Sequence, residues 1–216
     1  MGKCVLVNCV ESTANHSHLW QIDFGNRFKN DNESKCKITI DGTDFRIYEQ
    51  APWNPKWYSH KFNGPAVRHE VGICIRSGEI VWINGPCPAG SWPDLRIARD
   101  WLIYALQDGE MVLADGGYHD GCGFFETPNG NNDGDQYMKA LVCARHETIY
   151  RRFKQWSILG SRYRHSLEKH GLVFRAIASI THFMMKEYNY TDQDPSSNIY
   201  GVNYKDNNSE IPLLHD

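Results

Sequence analysis

The segment EMVLADGGY, Glu110 to Tyr118, constrains the fold more than any other stretch of the chain. Four apolar residues, Met111 to Ala114, run directly into Asp115, and two glycines and an aromatic residue follow. A short unbroken apolar run reads as a strand buried on both faces. An acid where such a strand stops is costly to remove from water unless positive charge meets it. Asp115 is therefore a candidate metal ligand, and the question becomes which other carboxylates converge on it.

The surrounding pattern predicts a mixed sheet of α/β type. In CKITIDGTDFRIY, residues 36 to 48, apolar and polar residues alternate with strand periodicity, and Asp41 stands just before Gly42. That glycine marks a bend or a close approach. HEVGICIRSGEIVWING, residues 69 to 85, reads as a hairpin turning at Ser77-Gly78. Asp94 follows a Gly/Pro-rich stretch in the position of a helix N-cap, and residues 95 to 107 carry a helical apolar stripe. A helix leading into the strand that ends at Asp115 predicts a parallel pairing. Residues 116 to 134 read as a glycine-rich loop. One long helix is expected from about Asp135 to Leu159, with Met138, Val142, Ile149, Phe153 and Trp156 on its apolar side. A second is expected from about His165 to Tyr188.

At 216 residues the chain suits a single domain over residues 36–188. Before it, 1–35 forms an extension with a possible strand at Cys4 to Val10, pinned by Trp20, Ile22 and Phe24. After it, 189–216 is a polar tail expected to be disordered. The formal net charge of -3 argues against binding polyanions through bulk charge. Seven cysteines without zinc spacing read as reduced thiols, the pattern of an intracellular protein. The N-terminus is too short and polar for a signal peptide. The apolar stretch Val173 to Met185 contains Arg175 and His182, so no membrane span is expected. Walker A, GxSxG and HExxH motifs are absent from the sequence, which removes several common enzyme classes.

Four acids stand out: Asp41 in a strand, Asp94 after the GSWP turn, Asp115 at a strand end and Glu147 on a helix. Neighbouring strands lie ~4.8 Å apart, so Asp41 and Asp115 can share an ion if their strands are adjacent. A helix packed on the same edge can add Glu147. Three carboxylates without Cys or His favour Mg²⁺ or Mn²⁺. Two such ions, ~3.5–4 Å apart, serve phosphoryl transfer. Asp44, Asp100, Asp108 and Asp120 read as surface or turn residues. Asp94 fits a plain helix cap equally well.

Basic residues supply a second signal. Between Arg145 and Arg175 there are eight Lys/Arg against two acids, Glu147 and Glu168. Such clustering suits a phosphate backbone, although a solvated basic face is the bland alternative. Arg151 and Lys154 share the helical stripe of Glu147 and are placed to hold DNA phosphates beside a Glu-bound metal. Lys56, His60 and Lys61 in the loop of residues 49 to 65 are placed to reach phosphates.

Taken together, the blocks ITIDGTDFRI (38 to 47), GPCPAGSWPDLRIARD (85 to 100), VLADGGYHDG (112 to 121), RHETIYRRFKQWSIL (145 to 159) and HSLEKHGLVFRAIASITHF (165 to 183) resemble the DDE superfamily endonuclease domain of PIF/Harbinger and IS5-like transposases. The resemblance spans about residues 36 to 185, in the family's order, with Asp115 and Glu147 32 positions apart. It implies an RNase H-like fold, a mixed β-sheet with flanking helices. It implies a divalent-metal-dependent nuclease/transposase that hydrolyses phosphodiesters and transfers strands, with Asp41, Asp115 and Glu147 as the catalytic triad on a two-metal site of Mg²⁺ or Mn²⁺. Asp94 matches the acid of the family's Gly-Ser-x-x-Asp motif, often grouped with the metal site. Lys154 matches a basic residue that contacts phosphate at the transposon end. Arg151, Arg145 and Lys61 complete the expected DNA-binding set. The implied partner is double-stranded DNA or transposon ends, with no membrane. The implied compartment is the nucleus of a eukaryotic cell, or otherwise the cytoplasm.

Two departures from the family pattern carry weight. Relatives often have Arg four residues before the catalytic Glu, where this chain has Cys143. Full-length transposases of this type carry a DNA-binding region before the catalytic domain, and here about 35 residues precede the first strand. The readings this leaves open are a fragment, a split gene product or a decayed copy, with a separate DNA-binding partner protein, as in Harbinger-type elements, as one source of end recognition. The alternative expectation is a transposase-derived, catalytically silent DNA-associated protein.

Overall fold

The computed structural model describes residues 22–28, 35–127 and 133–187, leaving side chains undescribed at 133–139, 141, 142 and 187. The expected strand at Cys4 to Val10, Trp20 and the tail from 189 lie outside the described residues. In chain order the elements are β1 (Cys36–Arg46), β2 (Tyr58–Ser59), β3 (Gly64–Cys74), β4 (Ile80–Pro88), α1 (Asp94–Asp100), β5 (Met111–Ala114), β6 (Phe125–Glu126), α2 (Asp133–Gln155), α3 (Ser157–Gly160) and α4 (Leu167–Glu187). They form a mixed α/β unit.

The sheet is built around β1. On one side β1 pairs antiparallel with β3, which pairs antiparallel with β4 and briefly with β2. On the other side β1 pairs parallel with β5, and β5 parallel with β6. The main strands thus run β4-β3-β1-β5-β6, with the short β2 also on β3. The parallel pairing expected from the helix between β4 and β5 is present, but β5 lies beside β1 instead of β4. β6 falls inside the stretch read as a glycine-rich loop. Two residues are too few for any periodicity to register.

Side-chain alternation along β1 separates two cores. Ile38 and Ile40 face one side, where they meet Ala98 and Leu102 from α1 and the turn after it, Val112 and Ala114 from β5, and Tyr118. Phe45 and Ile47 face the other, with Val71, Ile149 and Phe153 of α2, and Phe174 and Ile177 of α4. Helices therefore cover both faces. Phe153 is fully buried, a contribution of about 2–3 kcal/mol for a side chain of its size. Ile22 packs on the second core and Phe24 on the first, as expected for the segment before β1.

The helices differ from the sequence expectation at two points. The long helix breaks at Trp156, whose backbone is extended (φ -74°, ψ 114°). The chain then folds back so closely that a Cβ on Gly160 would collide with the backbone carbonyl of Lys154. Trp156 accordingly stays 42% exposed instead of continuing the Ile149–Phe153 stripe. The helix expected to reach 107 ends at Asp100, and a 3-10 turn over Leu102–Ala105 takes over. Among the described residues no helix is long and apolar enough to cross a membrane.

Candidate functional site

The site lies where β5 stops and β1 continues. The parallel register pairs Ile40 with Ala114, the last residue of β5. The next residues, Asp41 and Asp115, therefore stand side by side at one level of the sheet. β1 runs on for several residues beyond that point, and loops and helix side chains close around it.

Asp41 is half-buried, and its Oδ1 accepts the backbone N–H of Gly42 at 2.7 Å. Burial pushes its pKa up to about 6, Lys61 opposes that shift, and the carboxylates of Asp94 and Asp115 add to it. Asp115 begins a 3-10 turn at Gly116–Tyr118, with its side chain accepting from Gly117 N–H at 2.8 Å. A Cβ on Gly117 would press on that carboxylate, whereas one on Gly116 would meet open space.

Asp94 does not act as a helix cap. Pro93 occupies the N-cap and Asp94 is the first residue of α1, with no side-chain capping bond. Its carboxylate lies over Gly42, where any Cβ would overlap it. This is the close approach that the glycine in β1 foreshadows. Asp94 Oδ1 is buried and faces Arg68 Nε at 3.4 Å, yet accepts no hydrogen bond from a described residue. Burial raises the Asp94 pKa, with Arg68 and Lys61 acting against the rise.

The helix α2 is registered over β1 by two contacts. His146 Nε2 stands 3.1 Å from Thr39 Oγ1, and the Tyr150 hydroxyl donates to the Asp41 carbonyl at 2.7 Å. Glu147 follows His146 and lies three residues before Tyr150. It is exposed, and no hydrogen bond or ion pair among the described residues engages it. It shares a helical stripe with Lys154, whose Nζ approaches the rings of Phe45 at 5.7 Å, Phe62 at 6.0 Å and Tyr150 at 6.0 Å. Burial and the neighbouring Lys61 lower the Lys154 pKa, while Asp44 and Asp41 oppose them. Lys61 donates from Nζ to the Gly42 carbonyl at 3.1 Å. Both lysines thus border the acids.

The structure brings Asp41, Asp94 and Asp115 into mutual electrostatic contact with Lys61 and Lys154 at their margin. Glu147 is exposed on α2, and no contact among the described residues joins it to that group. All the donors are carboxylate oxygens, which suits a hard cation, and the buried Asp94 Oδ1 lacks a hydrogen bond. Among the described residues, however, no three of His, Cys, Asp and Glu form a group placed to hold an ion.

One member of the expected DNA-binding set is corrected. Arg145 is buried, and its Nη1 donates to the Ile75 carbonyl at 2.6 Å. The guanidinium ties α2 to the end of β3 instead of meeting phosphate. Arg151 remains exposed.

Several site residues were not singled out from sequence. Asp44, read as a surface acid, is buried and accepts from Arg68 at 2.6 and 3.0 Å and from Ser59 at 2.6 Å. Asp44 and Arg68 are cross-strand partners in the β1–β3 register, the signal that could have revealed them. These hydrogen bonds hold the Asp44 pKa below the ordinary value despite burial, which acts the other way. Glu70, paired opposite Gly42, is fully buried. One oxygen accepts from Trp82 Nε1 at 2.9 Å, and the other has no hydrogen-bond partner among the described residues. Burial pushes its pKa up to about 8, helped by Asp94 and Asp41.

Comparison of the chain with protein-family models, with curated proteins and with solved structures finds no match in any of the three.

Proposed function

We propose that the chain is a metal-dependent DDE-type DNA endonuclease/transposase built on an RNase H-like fold. The observation that carries this reading is the Ile40–Ala114 register, which sets Asp41 beside Asp115. The order β4-β3-β1-β5-β6, with β3 alone antiparallel among these strands, supports the same fold. Mg²⁺ or Mn²⁺, when bound, would polarise a phosphodiester and activate an attacking oxygen. Asp41 and Asp115 are the oxygen donors for it, and Glu147 projects from the α2 stripe that also carries Lys154. Arg68 orients Asp94, Tyr150 holds α2 against β1 at Asp41, and Lys61 and Lys154 receive the phosphate charge.

A second reading, a transposase-derived and catalytically silent DNA-associated protein, is favoured by the exposed position of Glu147 and by the absence of a three-acid group among the described residues. Isothermal titration with Mn²⁺ separates the two. The enzyme reading expects saturable binding that Asp41→Asn and Asp115→Asn each abolish. No binding at millimolar ion supports the silent reading.

A further inference from the structure

A pocket of about 320 Å³ opens at the end of β1, lined in part by Arg46, Glu49, Trp53, Tyr58, Phe62 and Arg162. It sits at the lower end of the size range of small-ligand sites, ~300–1,000 Å³. Three kinds of group meet there. Trp53 is 57% exposed and gives the pocket an open aromatic surface. The Arg46 guanidinium lies 4.6 Å from the centre of the Phe62 ring, and that of Arg162 lies 5.5 Å from the centre of the Tyr48 ring. Glu49 contributes a carboxylate. Among the described residues Arg46, Arg162 and Glu49 take part in no ion pair.

We infer that this pocket binds one unpaired nucleotide of a DNA strand that continues into the carboxylate site. A nucleotide answers the aromatic, cationic and anionic groups together. Its base offers a flat face to Trp53, its phosphate meets Arg46 and Arg162, and an amino group on its base donates to Glu49. A purely anionic ligand would leave Glu49 without a role, and an apolar one would use neither arginine. Position supports the same ligand. Phe62 links the pocket to the lysines bordering the acids: it lines the pocket, and its ring has the Arg46 guanidinium 4.6 Å and Lys154 Nζ 6.0 Å from its centre. Lys61, the preceding residue, reaches the Gly42 carbonyl next to Asp41. A strand with one base in the pocket would pass its next phosphate toward Lys61 and Lys154. Bases with an exocyclic amine, adenine, cytosine and guanine, suit Glu49 better than thymine. The inference rests on the DNA reading above but does not require that the site be catalytic.

The test is fluorescence anisotropy with the full chain in EDTA, so that no metal chemistry contributes. The probes are a blunt hairpin duplex and the same hairpin with a three-nucleotide single-stranded overhang of adenine or of thymine. The adenine overhang is expected to bind more tightly than the blunt end and than the thymine overhang. Trp53→Ala should weaken overhang binding about tenfold, as for loss of one base–aromatic stack, and leave the blunt duplex unchanged. Trp53→Phe should retain most of the preference. Trp53 is exposed, so a thermal melt should show these variants folded. Equal binding of blunt and overhang DNA, or an overhang preference indifferent to Trp53→Ala, overturns the inference. So does free dAMP binding as tightly as the adenine overhang, since the ligand would then be a free nucleotide. An overhang preference that needs Trp53 in a protein that never nicks DNA leaves this inference standing while the enzymatic reading falls.

Discussion

Asp41 and Asp115 stand next to one another on parallel strands because Ile40 pairs with Ala114. Burial is the main cost of ionising Asp41, whose pKa is pushed up to about 6, and repulsion from Asp94 and Asp115 adds to it. Lys61 is the main group working against that rise. Protonation of Asp41 removes an anionic oxygen donor. Mn²⁺ affinity is therefore expected to fall as pH drops through about 6. Lys61→Met should move that midpoint upward. Titration calorimetry from pH 5 to 8 measures both, and an affinity that stays flat across that range would contradict the account of Asp41.

Gly42→Ala should damage the site from within the sheet. The new methyl group would occupy the space of the Asp94 carboxylate. The expected loss is about 1–3 kcal/mol, typical of overpacking, because Asp94 is also held by Arg68. Urea unfolding measures it. Asp94→Gly in the same chain should recover part of the loss, since it vacates the space.

Arg145 and Lys154 should behave in opposite ways on DNA. Lys154→Ala is expected to weaken binding and reduce the salt slope by about one. Arg145→Gln should leave that slope unchanged and lower thermal stability, because the Ile75 carbonyl loses its donor. Anisotropy titrations across a salt series, with a melt of each variant, separate the roles.

Glu70 should give stability a distinct pH dependence. Its pKa is about 8 in the folded chain against an ordinary 4.5. The folded state thus keeps a proton that the unfolded state releases above 4.5, and stability falls as pH rises from about 4.5 to 8. Glu70→Gln retains an acceptor for Trp82 and removes the ionisation. Its stability gain relative to the parent should grow across that window to the order of 3–5 kcal/mol. Parallel denaturation curves at pH 5 and pH 8 would detect this, and a constant difference would contradict it.

The sheet was legible because its strands obey simple rules. β1 alternates and carries Asp41, and β5 is a short apolar run that ends at Asp115. Asp94 was harder, since an acid at N-cap and an acid at N1 look alike until Pro93 is seen to take the cap. The charge count around Glu147 carries no helical phase, and Arg145 falls on the wrong side of α2 for DNA. It lies four residues before Ile149 and eight before Phe153, on the stripe that α2 buries. Glu70 sits in an alternating strand, and only the packing of Trp82 and Tyr118 around it makes it a buried acid. The break at Trp156 depends on the close return of Gly160 to Lys154, a tertiary event that helical periodicity passes over.

Nicking of supercoiled plasmid DNA tests the central claim most directly. With Mn²⁺ present, the full chain is predicted to nick, and Asp115→Ala and Glu147→Gln are each predicted to abolish nicking while unfolding at the temperature of the parent. Undiminished nicking by a folded Asp115→Ala variant would contradict the account.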